Sequence, residues 1–224
     1  MVSTDNRRCG YDTVFLDRRL VLHVIFKHIQ SKSKVLLNKR FASVDHTEKG
    51  VIVHCEDGSS YVGDILVGAD GIYSAVRREM WKCADVIQPG LITEAERRCV
   101  SSEYQVLYGM SSATAGLYKG NYDVTYMKDR STMVITGKEN TVYWFIFKKL
   151  DRVYHVGEIP RYTKEDAANF AEQNLDINIE KEPKVTFGDI WRNRKCYTLV
   201  ATEEASFNTW TFARFVCLGD AVHK

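Results

Sequence analysis

The 224-residue sequence has little proline and no long apolar run, and both absences narrow the class of protein. Only three prolines occur, each in a segment typical of a loop, and neither a low-complexity tract nor an internal repeat is found. No apolar run approaches the roughly 18 residues of a membrane-spanning helix. Residues 1–10 lack the apolar core of a signal peptide. These absences predict an intracellular, cytoplasmic chain.

A metal-binding pattern and a bias towards one charge are also missing. Six cysteines are scattered without C-x-x-C spacing or a histidine cluster, so neither a metal site nor a disulfide framework is expected. With 31 basic and 29 acidic residues the formal charge is +2, which predicts no nucleic-acid partner. Because 45% of the residues are hydrophobic, the chain can bury the core of one large or two smaller domains. Its chemistry must then come from local groups.

Two segments far apart in the chain share one pattern. In each, an apolar run typical of a buried strand, residues 65–67 or 215–218, ends near a carboxylate beside a glycine. The pairs are Asp70 with Gly71 and Asp220 with Gly219. An open α/β sheet presents groups to a nucleotide in this way, at the carboxyl ends of its strands. Either segment alone is also typical of an ordinary turn. The two together predict that both carboxylates converge on one dinucleotide.

Two helices are predicted next to arginines. Ser74 can cap a helix whose first turns include Arg77, so Arg77 lies at the corner that follows the first strand. Upstream, apolar residues recur at helical spacing over residues 17–30, with Asp17 as the cap and Arg18 in the first turn. A cation at this end of a helix costs a few tenths of a kcal/mol. Arg18 is therefore better explained by an anionic or carbonyl-rich partner, although a solvated arginine also fits.

Strand patterns fill most of the remaining sequence. Extended segments separated by turn residues predict a short stretch at 35–37 and then a meander that leads to the first carboxylate, with strands at 41–45, 51–55 and 61–68. An antiparallel sheet is predicted between residues 103 and 150, with strands at 104–108, 124–127, 133–136 and 141–148. Thr163 with Asp166 predicts the capping-box start of a helix that covers this sheet.

Three ordered motifs resemble those of the FAD-dependent monooxygenases of the aromatic-ring-hydroxylase type. They are Arg18 followed by a helix, the Gly-Ala-Asp-Gly-x-x-Ser-x-Val-Arg stretch at residues 68–77, and Gly219-Asp220-Ala221 followed by His223. The sequence is most similar to the fungal branch that epoxidises prenyl chains in indole-diterpene and meroterpenoid pathways. The resemblance runs along nearly the whole chain and includes the stretch Val142-Tyr-Trp-Phe145.

The resemblance implies a set of cofactor-binding residues at strand ends and helix starts: Arg18, Asp70, Gly71, Arg77, Gly219 and Asp220. Asp220 would accept hydrogen bonds from the ribityl or ribose hydroxyls of FAD, and Arg18 would contact the flavin side. Asp70 and Arg77 would organise the pyrophosphate and the passage of NADPH.

Tyr126 is the residue that matches the substrate-side tyrosine of such enzymes, so the resemblance assigns it as catalytic. An ordinary cross-strand aromatic is the alternative interpretation of Tyr126. In the family, the antiparallel sheet forms the floor of the substrate pocket. No metal ion is implied.

Two features of these enzymes are not found in the sequence. No glycines fall in the G-x-G-x-x-G pattern that, between a strand and a helix, cradles the pyrophosphate. Relatives also continue past the Gly-Asp motif into a loop and a helix that lie against the flavin. We therefore expect the chain to correspond to the middle of such an enzyme and to bind FAD weakly or not at all on its own. A membrane would be contacted only through segments that longer relatives carry.

The predicted fold class is α/β of the mixed α+β kind. It combines an incomplete FAD-binding domain of the glutathione-reductase type, with its β-meander, and a substrate domain built on an antiparallel sheet. The predicted bounds are 1–88 for the partial FAD-binding domain, 89–210 for the substrate domain and 211–224 for the returning FAD-binding segment, with Pro89-Gly90 as the linker.

The implied activity is epoxidation or hydroxylation of a prenylated or terpenoid secondary metabolite, a small hydrophobic molecule. FAD is the implied cofactor, and NADPH and dioxygen are the implied co-substrates. Two alternatives stay open. One is a flavin hydroxylase of small aromatics on the same scaffold, and the other is a non-catalytic remnant that binds no flavin.

Overall fold

The computed structural model describes Gly10 and residues 15–224; Cys9 and most of the polar N-terminal segment lie outside the described residues. The helices are α1 (Arg18–His28), α2 (Ala75–Ile87), α3 (Glu94–Arg97), α4 (Lys164–Glu172) and α5 (Phe187–Arg192). The strands are β1 (Phe41–His46), β2 (Val51–Cys55), β3 (Ser60–Gly63), β4 (Leu66–Gly68), β5 (Ser101–Ser111), β6 (Tyr122–Met127), β7 (Arg130–Thr136), β8 (Val142–His155), β9 (Asn178–Lys181), β10 (Lys184–Thr186), β11 (Arg194–Glu204), β12 (Thr211–Phe212) and β13 (Phe215–Cys217).

The described strands form four sheets. The predicted meander is present as the antiparallel sheet β1-β2-β3. A five-stranded sheet has the order β11-β5-β8-β7-β6, and β6, β7 and β8 are antiparallel neighbours in it. In a third sheet β12 pairs with β13 antiparallel and β13 pairs with β4 parallel, while β9 and β10 pair with each other. The predicted mixed α/β class with an antiparallel sheet is confirmed.

The chain divides into two compact units. The first contains the described residues up to Gln30 together with Tyr104–Asp151 and Pro160–Ala201, and the second contains Ser31–Glu103, Arg152–Ile159 and Thr202–Lys224. This division differs from the predicted domains, because α1 groups with the antiparallel sheet and residues 89–103 group with the meander. The domain bounds at residues 88 and 210 stay a prediction.

Helix α1 begins where the sequence predicts it but leaves its apolar side chains exposed. Oδ1 of Asp17 accepts a hydrogen bond from the backbone N–H of Arg19 at 2.7 Å, which caps the first turn. No residue of α1 is buried. Its large apolar residues are 41–56% exposed: Leu20, Val21, Leu22, Val24, Ile25 and Phe26. The helix is confirmed, whereas its apolar side packs into no core of the described residues.

Two strand predictions are wrong in detail. The segment 35–37 forms no strand, because the N–H of Val35 donates to the carbonyl of Lys32 and closes a 3₁₀ turn. The predicted strand 61–68 is two strands, β3 and β4, in different sheets. After β3 the chain leaves β2, and the N–H of Leu66 donates to the carbonyl of Arg214 at 2.8 Å.

The core of the first unit surrounds Trp144, on the face of the five-stranded sheet that α4 and α5 cover. The Trp144 ring packs against Phe187 at 5.1 Å and Trp191 at 5.8 Å between centroids. Its Nε1–H donates to Oγ of Ser111 at 2.9 Å, and Ser111 in turn donates to the carbonyl of Ile190 at 2.8 Å. The buried indole therefore has its hydrogen-bond partner, as a buried polar group requires.

The core of the second unit depends on a close approach between α2 and β4. Met80 and Phe215 are among its fully buried residues. Gly68 ends β4, and a Cβ there would lie 2.8 Å from Cβ of Val76 and 3.2 Å from Sγ of Cys217. Because carbon atoms do not approach so closely, only glycine lets the helix pack at this distance.

Gly68→Ala should lower the free energy of unfolding by about 1–3 kcal/mol, the cost typical of overpacking a core. Gly63→Ala is the matched control, since a Cβ at Gly63 would meet only the carbonyl oxygen of Ile65 at an ordinary 3.5 Å. Urea denaturation of both variants measures the difference. Equal losses in the two variants would contradict the close packing at Gly68.

Candidate functional site

The two predicted motifs follow adjacent strand ends. In the parallel pair, Phe215 faces Leu66 and Cys217 faces Gly68, and the N–H of Leu218 extends the ladder by donating to the carbonyl of Gly68 at 2.8 Å. Asp70 comes two residues after the end of β4, and Asp220 comes three residues after the end of β13. The structure therefore brings the Asp70 corner and the Asp220 turn to the same edge of one sheet, where α/β proteins bind nucleotides.

The carboxylate of Asp70 is used inside the corner. Its Oδ1 accepts the hydroxyl hydrogen bond of Ser74, and its Oδ2 accepts the backbone N–H groups of Ala75 at 2.7 Å and Val76 at 3.2 Å. Ser74 Oγ accepts the N–H of Arg77 at 2.9 Å, so the predicted cap of α2 is confirmed. The hydrogen bonds of Asp70 thus supply acceptors for the first N–H groups of α2, which have no partner within the helix, and they occupy both oxygens of Asp70.

These contacts change the acidity of Asp70. Partial burial opposes ionisation, but the hydrogen bonds from Ser74 and from the N–H groups of Val76 and Ala75 outweigh it, so the pKa of Asp70 is lower than its usual value. Burial raises the pKa of the neighbouring Cys217 thiol to about 11. A thiolate nucleophile at this strand end is therefore not available at neutral pH.

Arg77 lies beneath the corner and is only 4% exposed. Its Nη1 donates to the carbonyl of Ala221, and its Nη2 donates to the carbonyl of Ile72 at 2.6 Å. The centre of its guanidinium lies 3.8 Å from the ring centroid of Phe207. Burial lowers its pKa from the ordinary value. Two donors of Arg77 are thus paired with backbone carbonyls, while its Nε is buried without a partner among the described residues. Its role as a contact for pyrophosphate or NADPH stays a prediction.

Asp220 has the opposite environment. It is exposed, in a 3₁₀ turn over Gly219–Ala221, and its carboxylate accepts no hydrogen bond from the part of the chain that the structure describes. Gly219 has φ +57°, a conformation that side chains rarely adopt, and no atom lies within 4 Å of where its Cβ would be. Gly71, at the other corner, likewise has φ +85° and open space beside it.

Two predicted site residues belong to the other compact unit. Arg18 is exposed in the first turn of α1. Tyr126 is 83% exposed on β6, the edge strand of the five-stranded sheet. The structure groups the remaining predicted residues in the second unit, so the assignments of Arg18 and Tyr126 stay predictions.

Tyr126 lines a cavity of about 550 Å³ in the first unit. The lining residues combine aromatic rings with polar groups: Tyr104, Tyr126, Met127, Asp129, Arg130, Ser131, Phe147 and Lys149. The volume is that of a typical small-molecule site. The alternation of side chains along a strand identifies which residues share a sheet face with Phe147. The cavity itself could be found only once the pairing of the strands was known.

The cavity continues onto an aromatic face of the sheet. Tyr126 faces Ser131 and Ser131 faces Phe147 across the ladders, so these side chains share one face. On that face the rings of Phe147 and Phe145 stack at 6.2 Å, and those of Phe145 and Tyr108 stack at 6.1 Å. The opposite face contains Trp144 and is covered. This side is therefore a largely aromatic surface, on which Phe15 packs against Phe145 at 6.1 Å between ring centroids, and a cavity lined by aromatic and polar residues lies at one end.

Comparison of the sequence with curated proteins gives relatives along nearly the whole chain. The FAD-dependent monooxygenase anuJ of Penicillium roqueforti is 43% identical over 222 residues, which cover 97% of this chain and 27% of that protein. The FAD-dependent monooxygenase andE of Emericella variicolor is 40% identical over 222 residues, which cover 99% of this chain and 47% of that protein. The chain thus spans less than half the length of these relatives. The predicted resemblance to FAD-dependent monooxygenases is confirmed, since the chain is similar over nearly its whole length to part of each of these proteins.

Solved structures agree with the fold. Klebsiella pneumoniae HpxO, complexed with FAD and uric acid, matches with a TM-score of 0.69 at 18% identity, over 97% of this chain and 51% of that one. A salicylate hydroxylase substrate complex matches with a TM-score of 0.55 at 16% identity, over 86% of this chain and 48% of that one. Identities this low establish the fold alone. No protein-family model matches the chain.

The described helices and cysteines add two observations. None of the helices in residues 15–224 is both long and apolar enough to cross a membrane. The described cysteines are free thiols: Cys55, Cys83, Cys99, Cys196 and Cys217.

The corner fits the sugar part of a dinucleotide better than its pyrophosphate. A pyrophosphate needs free N–H or guanidinium donors, whereas here Asp70 occupies the first N–H groups of α2 and two carbonyls occupy Arg77. Sugar hydroxyls need an accessible acceptor, and the exposed carboxylate of Asp220 is one. The geometry therefore favours the predicted role of Asp220 and does not favour those of Asp70 and Arg77.

Asp70→Asn should destabilise the protein by about 0.5–2 kcal/mol at pH 7, because it removes a partly buried negative charge from the start of α2 and leaves one acceptor oxygen in place of two. Because the pKa of Asp70 is lower in the folded state, its stabilising contribution is present above the unfolded-state pKa of about 3.9 and is lost as the pH falls through the folded value. The difference between wild type and Asp70→Asn, measured by urea denaturation, should therefore shrink as the pH falls from 7 towards 3.

Asp64→Asn is the control for this experiment, because Asp64 is an exposed carboxylate that accepts no hydrogen bond within the described residues. Its stability should stay within about 0.5 kcal/mol of wild type. A stability difference for Asp70→Asn that stays constant over this pH range would show that the charge of Asp70 does not cap α2.

Proposed function

We propose that this chain is part of an FAD-dependent monooxygenase that uses NADPH and dioxygen to epoxidise or hydroxylate a prenylated or terpenoid secondary metabolite. The names of the relatives at 43% and 40% identity support the enzyme class. The observation that supports it most within the structure is the parallel pairing that brings the Asp70 corner and the Asp220 turn to one sheet edge.

The residues of the second unit would hold the cofactor through its sugar. Asp220 accepts hydrogen bonds from the ribityl or ribose hydroxyls, and Gly219 and Gly71 let the ligand approach the backbone because no side chain blocks it. Asp70 keeps its corner rigid by capping α2. When bound, FAD supplies the oxygen-transfer chemistry, while the protein positions the cofactor and excludes water.

The first unit would bind the substrate on its aromatic face. Stacked rings at Tyr108, Phe145 and Phe147 offer flat apolar contacts that suit a prenyl chain or a fused terpenoid ring. At the end of this face, the hydroxyls of Tyr126 and Ser131 line the cavity and can hydrogen-bond an oxygenated part of the substrate. Arg18, exposed at the start of α1, would contact the flavin side.

A flavin hydroxylase of small aromatics is the alternative that the same face supports, since an aromatic ring also stacks on these side chains. The two activities differ in their products. Incubation with NADPH, dioxygen and either a prenylated phenol or its unprenylated parent, followed by mass spectrometry, distinguishes oxygen on the prenyl chain from oxygen on the ring.

Asp220→Ala should weaken FAD binding by about 10- to 100-fold, because a hydrogen bond to a charged group contributes about 1.5–3 kcal/mol. Titration of the purified protein with FAD, followed by flavin fluorescence, measures the dissociation constant. Asp64→Ala is the control and should leave the constant unchanged, since Asp64 is an exposed carboxylate outside both corners. Wild-type affinity in Asp220→Ala would remove this residue from the site. Oxidation of NADPH by the wild-type protein in the presence of FAD would exclude the non-catalytic remnant.

A further inference from the structure

Arg77 joins the two motifs through its contacts. It is the third residue of α2, where a cation faces the positive end of the helix dipole and helix stability gains nothing from it. It forms no ion pair among the described residues, although its guanidinium stays charged when buried. A buried guanidinium without an ion pair needs hydrogen-bond acceptors, because burying a charge without compensating contacts is costly.

The contacts of Arg77 span the site. Nη2 donates to the carbonyl of Ile72, which lies two residues after Asp70 in the first corner. Nη1 donates to the carbonyl of Ala221, the residue directly after Asp220. The guanidinium stacks on Phe207 at 3.8 Å, which fixes its plane. One planar side chain therefore joins backbone groups that are 149 residues apart in the sequence.

A second, indirect connection runs through Glu203, whose Oε1 accepts the hydroxyl of Tyr73 at 2.8 Å and whose Oε2 accepts Nζ of Lys224 at 3.3 Å. The parallel ladder reaches as far as the N–H of Leu218, which donates to Gly68. Beyond it, the segment after the Asp220 turn pairs with residues 205–207, through Val222 with Phe207 and Lys224 with Ala205. Arg77 therefore joins the Asp70 corner directly to the residue after Asp220, just beyond the last bond of the ladder.

We propose that Arg77 is a positioning residue, which holds the Asp220 turn at the correct distance from the Asp70 corner and does not itself contact the cofactor. The proposal rests on the proposed function, since the site is the same. Its physical basis is that two donors in a rigid fork set both a distance and an angle between the carbonyls of Ile72 and Ala221. A small displacement of Asp220 weakens its hydrogen bonds to sugar hydroxyls, because hydrogen bonds depend steeply on geometry.

Amide hydrogen exchange tests the proposal without a flavin. The N–H groups of Val222 and His223 both donate to the carbonyl of Gly219 at 2.9 Å, so their exchange rates report the order of the Asp220 turn. Arg77→Met should raise both rates by about tenfold or more, because local opening then requires one tie fewer. Arg77→Lys should raise them less, since a single ammonium can replace one of the two bonds.

The matched control is Arg78→Met. Arg78 is the exposed neighbour of Arg77 and donates only to the carbonyl of Tyr73, at 2.7 Å, within its own corner. This variant should exchange at the wild-type rate at Val222 and His223. Wild-type rates in Arg77→Met, or equal acceleration in Arg77→Met and Arg78→Met, would overturn the proposal. Because no flavin is present, this result does not depend on whether the protein is a monooxygenase.

Flavin binding separates positioning from direct contact. Riboflavin has the ribityl hydroxyls of FAD but no phosphate. If Arg77 acts through Asp220, Arg77→Lys should therefore weaken the binding of riboflavin and of FAD by the same factor. Weakening of FAD alone by Arg77→Lys, where Asp220→Asn weakens the binding of both flavins, would indicate that Arg77 touches the pyrophosphate, against the proposal. Asp220→Asn should weaken both flavins while leaving the exchange rates of Val222 and His223 unchanged.

If Arg77→Met does not fold, chemical rescue of a smaller substitution provides a second test. In Arg77→Ala, millimolar guanidinium, which has the same planar fork, should slow the exchange of Val222 and His223 towards the wild-type rate. Sodium chloride at the same ionic strength should have no such effect. Exchange that guanidinium leaves unchanged in a folded Arg77→Ala or Arg77→Lys variant would contradict the role of the fork.

Discussion

The parallel pairing of β4 with β13 is the constraint on which the candidate site depends. Its register sets Cys217 opposite Gly68 and so places both motifs just beyond neighbouring strand ends. A slip of one residue would turn the apolar side chains of β13 to the opposite face of the sheet. Buried Phe215 and Cys217 resist such a slip, because the second core contains both. The packing of the unit and the geometry of the site therefore have one origin.

The polar side chains near this strand pair differ in whether the protein itself supplies their hydrogen-bond partners. Asp70 and Arg77 are engaged by the protein itself, one with the start of α2 and the other with two carbonyls. Asp220 remains exposed and has no donor from the described chain. The internal hydrogen bonds of Asp70 and Arg77 keep the site rigid, and the exposed carboxylate of Asp220 supplies an acceptor. This arrangement is expected of a preorganised ligand site.

Local signals in the sequence were sufficient for the features that depend on near neighbours. The caps at Asp17, Ser74 and Thr163, and the meander that leads to the Asp70 corner, follow from side chains within a few residues of one another. The sequence could not show that Arg77 binds the carbonyl of Ala221, because a contact over 144 residues requires the fold first.

Contacts between residues far apart in the sequence also explain the other differences between the predicted and the observed structure. The break between β3 and β4 arises from pairing with a segment near the end of the chain, which no local pattern reports. The cavity at Tyr126 depends on the strand order β8-β7-β6, so alternation alone could predict an aromatic face but not its depth. The resemblance to monooxygenases assigned Asp70 and Arg77 to the ligand. These assignments stay predictions, and the hydrogen bonds that both side chains form in the structure are internal.

In the proposed function, the Asp70 corner and the Asp220 turn form one flavin-binding edge. The exchange of backbone amides with and without saturating FAD tests it most directly, because a ligand protects the amides that it covers or orders. We expect protection in both segments together, residues 69–74 and 218–223. Protection confined to one of these segments, or FAD bound with no protection in either, would contradict it.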